Sequence, residues 1–111
     1  FAISASGQLM VEVGAAYLQI PPRRVRAVTV ELQDMTLTSR MIPPITYGPG
    51  KVEALKHLIP SPAAIAIGDS EAKTDKAMLE SAILGLVVRA DPPTDSASYA
   101  HWSDNFRLLP I

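Results

Sequence analysis

A chain of 111 residues, 48% hydrophobic and 19% charged, is one domain's worth and has the composition of an ordinary soluble globular domain rather than a disordered segment. Its net charge of -1 leaves no electrostatic footprint for nucleic acid or an anionic membrane, and no apolar run approaches the roughly 20 residues that span a bilayer. With no cysteine, disulfides, thiolate catalysis and Cys-based zinc sites are excluded, and a reducing, cytoplasmic setting fits.

Phe1 to Ile3 reads as a short apolar strand that stops at Ser4-Ala5-Ser6-Gly7. Such a small-residue loop can bring backbone N–H groups close to an anion. Between Gln8 and Leu18, the residues Leu9, Val13, Ala16 and Tyr17 recur at three- and four-residue spacing, which predicts an amphipathic helix with those side chains as its core stripe. Ile20-Pro21-Pro22 closes it. Val25 to Leu32 alternates, with Val28 and Val30 on one face and Thr29 and Glu31 on the other, and reads as a strand. Thr36 to Met41 is a second β-like piece before Pro43-Pro44, so the two form a hairpin or a strand with a β-rich excursion.

Tyr47-Gly48-Pro49-Gly50 is a turn leading into a predicted helix over residues 51–59, with Val52, Leu55, Leu58 and Ile59 as its stripe and Pro60 and Pro62 beyond. Lys51 falls in its first turn, where the positive end of the macrodipole disfavours a cation. A lysine there calls for another reason, such as a bound anion. His57 lies beside the apolar stripe and reads as structural.

The apolar run Ala63 to Ile67 ends abruptly at Gly68-Asp69-Ser70, and a helical pattern resumes at Thr74 and Asp75 with Met78, Leu79 and Ala82 as its apolar positions. Ligands of open parallel α/β sheets bind outside the carboxyl ends of the strands. Asp69, one residue past such a strand, is therefore the first candidate for a functional group, although Thr74 and Asp75 also suit plain helix capping. Leu84 to Ala90 is a further β-type run, Ser96 to Trp102 a short helix, and Asn105 to Ile111 a strand-like tail. This alternation argues for α/β architecture with a mostly parallel sheet and helices on its faces.

Three separated pieces, Ile3-Ser4-Ala5-Ser6, Gly50-Lys51, and Gly68-Asp69-Ser70 with Thr74-Asp75 and Met78-Leu79, resemble in order and approximate separation the second, third and fourth motifs of the haloacid dehalogenase (HAD) superfamily. The phosphoserine phosphatase-like branch is nearest in flavour. The resemblance spans nearly the whole chain. It implies a three-layer, Rossmann-like core over residues 1–111, incomplete on its N-terminal side, and an Mg²⁺-dependent phosphatase that hydrolyses a small phosphate monoester through an aspartyl-phosphate. Carried over, Ser4 would bond a phosphoryl oxygen with the N–H groups of Ala5 and Ser6. Lys51 would neutralise phosphoryl charge, and Asp69 would ligate Mg²⁺. Asp75 would be a second acid in the metal shell or one that orients the lysine.

Two departures stand out. Asp69 and Asp75 are six residues apart, where the family spaces its acids by four or five, so Glu71 remains an alternative to Asp75. The family's D-x-D loop, which carries the nucleophile, has no counterpart in this sequence. In the family that strand lies between the strands corresponding to Phe1–Ile3 and Ala63–Ile67. Its absence leaves two edges to be filled by a missing N-terminal segment, a second chain or a swapped copy. The expected partner is a small phosphorylated metabolite. A reading from another class is a catalytically inactive, truncated domain serving as a binding or assembly module.

Overall fold

In the computed structural model, which describes residues 1–91, 99–100 and 102–111, the chain divides into two compact units, Phe1–Leu58 and Ile59–Ile111.

The first unit opens with β1 (Ala2–Gly7), α1 (Gln8–Tyr17) and β2 (Val25–Gln33), followed by β3 (Thr36–Ile42) and α2 (Pro49–Lys56). Its sheet runs β1-β2-β3, with β1 and β2 parallel and β2 and β3 antiparallel. The excursion is thus a hairpin. Its turn residues Asp34 and Met35 take φ of 48° and 61°, the left-handed pair of a type I′ connection, whose twist matches that of the strands. Ala15, Val25, Ala27, Ala54 and Leu55 are the buried apolar residues of this unit.

The core-facing side of α1 differs from the predicted stripe. Ala15 is buried and Val11 half-buried, whereas Leu9, Val13, Ala16 and Tyr17 are exposed. The reason lies in two polar residues. Where the β1–β2 register is interrupted between Ile3 and Gly7, the Ala27 N–H donates to Gln8 Oε1 at 2.6 Å, and Gln8 Nε2 donates to Glu12 Oε1 at 2.6 Å. Satisfying a backbone donor next to the sheet turns Gln8 and Glu12 inward and the bulkier apolar residues outward.

The second unit consists of β4 (Ile65–Gly68), α3 (Lys76–Ser81), β5 (Leu84–Arg89) and β6 (Phe106–Pro110). Its three strands run in the order β4-β5-β6 and are parallel throughout. Met78, Leu79 and Ala82, the predicted apolar positions, are buried together with Ala66, Val87 and Phe106. Gly85 permits this contact, since a Cβ there would lie 3.0 Å from the Leu79 carbonyl oxygen and from the Phe106 ring. Asn105 Nδ2 donates to the Leu79 and Ala82 carbonyls at 2.9 Å each, closing the end of α3. The helix expected over residues 96–102 falls largely outside the described residues.

The architecture is therefore α/β with helices and strands in alternation. Of the four strand pairings among the described residues, three are parallel. They fall in two three-stranded sheets, with β1 at an edge of the first and β4 at an edge of the second. No helix among the described residues is long and apolar enough to cross a membrane.

Candidate functional site

In the first unit, the Ser4-Ala5-Ser6 stretch interrupts the pairing of β1 with β2. Four positions separate Ile3 from Gly7, whereas their partners Arg26 and Val28 are two apart. The structure thus keeps Ser4-Ala5-Ser6 within β1 (Ala2–Gly7) as an irregularity of the strand, where the sequence predicts a loop after Ile3. Ser6 N–H donates to Ser4 Oγ at 3.1 Å, the local turn that serine side chains favour. A hydroxyl that accepts one N–H still has its proton to give.

Thr46 holds this stretch from behind. Its hydroxyl donates to the Ser4 carbonyl at 2.5 Å, and the residue is only 1% exposed. Nothing in the sequence singled it out, because a threonine in a proline-rich connection looks like any loop residue.

The same connection leads into α2, which lies against β1. Its entry is built from Gly48 at φ 52°, ψ -124°, with Pro49 in the first turn, the position where a missing N–H costs nothing. Gly50 follows, and a Cβ there would sit 1.8 Å from the Ile45 carbonyl oxygen. Lys51 comes next and is 5% exposed, its N–H donating to the Gly48 carbonyl at 3.1 Å. The predicted stripe of α2 is met at Leu55, while Ala54 and Lys51 share its buried side.

In the second unit, the loop after β4 carries three acids with three distinct environments. Asp69 is exposed at the carboxyl end of the strand. Asp75 is buried, and its Oδ2 accepts the Asp69 N–H at 3.2 Å. Gly68 makes room for it, since a Cβ there would lie 2.7 Å from Asp75 Oδ2. Glu71 is also buried and forms an ion pair with Arg89 at the end of β5. Ser70 ties the turn together. Its carbonyl accepts the N–H groups of Lys73 and Asp75 at 3.3 and 3.2 Å, and its Oγ accepts that of Thr74 at 3.2 Å.

The two buried acids shape the loop, and the exposed one is presented by it. Of the two candidates for a second acid, Asp75 bonds the backbone of Asp69 itself, whereas Glu71 is engaged by Arg89. Among the described residues no three of His, Asp and Glu group as a metal cage. Mg²⁺ is commonly held by one or two carboxylates, with waters and phosphate oxygens completing the octahedron. A single exposed aspartate on a braced loop is a donor of that kind.

Compared with known proteins, the chain matches no family model, no curated protein and no solved structure.

Proposed function

We propose that this chain is the phosphate- and Mg²⁺-binding part of a HAD-like phosphatase core, a three-layer Rossmann-like arrangement acting on a small phosphate monoester. The observation that carries the reading is the loop after β4, where Asp75 and Glu71 are buried and engaged while Asp69 is left exposed at a parallel strand end. Asp69 contributes the metal ligand, and Asp75 fixes the backbone from which it projects. In the first unit the Ser4 hydroxyl and the Ala5 N–H bond phosphoryl oxygens, and the Lys51 ammonium offsets their charge. Phosphoryl transfer is accelerated mainly by positioning and charge stabilisation, which these groups supply. Mg²⁺, when bound, draws charge from the phosphoryl oxygens. No D-x-D nucleophile loop occurs in the sequence, so binding, rather than turnover, is the activity this chain shows by itself.

Calorimetric titration with inorganic phosphate in the presence of Mg²⁺ tests this. The wild-type chain binds phosphate in an Mg²⁺-dependent manner, and Asp69→Asn and Lys51→Met each weaken binding at least tenfold. Phosphate binding that is absent, or indifferent to both substitutions, overturns the reading. Turnover of p-nitrophenyl phosphate abolished by Asp69→Asn would contradict the separation of binding from nucleophile.

A further inference from the structure

The sequence of α1, QLMVEVGAAY, carries a single charge, Glu12, which is half-buried and accepts a hydrogen bond from Gln8. The opposite side of the helix is apolar and open to solvent. Leu9, Val13 and Tyr17, four residues apart, are 67%, 63% and 85% exposed, and Met10 beside them 75%. A helix that is apolar on both sides is the kind found buried.

This stripe continues into the hairpin. Leu9 and Met10 form one wall of a groove of about 300 Å³ whose other walls are Val28, Val30, Leu32 and Leu37. Leu32 pairs with Leu37 across the hairpin, and both line the groove with Val30; Met41 pairs with Val30 beyond an irregularity in the register. Leu32, Leu37 and Met41 are themselves 55%, 63% and 49% exposed.

We propose that this face is a two-fold interface between two copies of the chain, with the Val13–Tyr17 ridge of one copy seated in the Leu9–Leu37 groove of the other, and reciprocally. Three features favour a second copy. A ridge and a groove lie side by side on one surface, which is what an isologous contact needs. The seven exposed side chains present on the order of 800–1,000 Å², close to the roughly 800 Å² that each partner gives to a standard stable interface. The side chains that form the ridge and the groove carry no charge, so a two-fold contact sets no like charges against each other. A membrane surface is the poorer match, because α1 has no Lys or Arg to meet anionic headgroups.

Light scattering coupled to size-exclusion chromatography, followed by sedimentation equilibrium, reads the outcome on the full chain. A dimer is expected at micromolar concentration. Val13→Glu and Tyr17→Lys, both at exposed positions, each raise its dissociation constant at least tenfold with unchanged circular dichroism. The chain has no cysteine, so Val13→Cys mixed with Leu37→Cys gives a crossed disulfide under oxidising conditions. A monomer at all concentrations overturns the proposal. So does a dimer indifferent to both charge substitutions, open-ended association, or binding of the monomer to phosphatidylserine vesicles.

Discussion

The Asp75 carboxylate accepts a hydrogen bond from the backbone N–H of Asp69, six residues earlier, across the space left by the missing side chain of Gly68. This contact turns the end of β4 into a presented carboxylate rather than a fraying strand. Gly68→Ala would force a Cβ to 2.7–2.9 Å from the Asp75 side chain, and Asp75→Ala would strand the Asp69 N–H. Each is expected to lower stability by about 1–3 kcal/mol, measured by urea denaturation. Each also weakens Mg²⁺-dependent phosphate binding, although neither removes the Asp69 side chain.

Glu71 and Arg89 brace the same loop. The Glu71 side chain is 4% exposed and that of Arg89 37%. Arg89→Met leaves a buried carboxylate without its guanidinium and is expected to cost about 2–3 kcal/mol, less than for a fully buried pair because Arg89 is partly solvated. The double variant Arg89→Met, Glu71→Gln regains part of that loss. A double-mutant cycle showing no coupling would mean that the pair contributes nothing to the loop.

Gly50 is required by the approach of the Ile45 carbonyl, 1.8 Å from where a Cβ would stand. Because the obstacle is backbone, no rotamer change relieves it. Gly50→Ala is expected to destabilise the first unit by at least about 2 kcal/mol, read as a fall in the melting temperature. Phosphate binding falls with it, because the substitution displaces the turn that carries Lys51.

Met35 at φ 61° is 93% exposed, a left-handed position that a side chain occupies at a cost and glycine does not. Met35→Gly creates the favoured Asp-Gly turn and is expected to stabilise by about 0.5 kcal/mol, seen as a higher melting temperature.

These residues mark what was legible in the sequence. Abrupt changes of pattern were easy to read. The strand ending at Gly68, the helix carrying Met78 and Leu79, and the alternation from Val25 all sit where expected, because turn residues and periodicity agreed. On α1 they gave no contrast. With apolar residues almost all round, spacing could not say which side meets the sheet, and a hydrogen bond from Ala27 to Gln8 decided it. Such a bond depends on the β1–β2 register, which local pattern does not encode. For the same reason Thr46 was invisible, since its partner, Ser4, lies 42 residues away. The division of labour among Asp69, Glu71 and Asp75 likewise required Arg89, from another strand.

The central claim is that the exposed Asp69 carboxylate, on the loop braced by Asp75, holds Mg²⁺. Amide NMR spectra recorded during titration with inorganic phosphate and Mg²⁺ test it most directly. The account predicts that the Asp69 signal shifts along a saturation curve that requires Mg²⁺ and is lost in Asp69→Asn. An Asp69 signal indifferent to Mg²⁺, or an unchanged curve in Asp69→Asn, would contradict it.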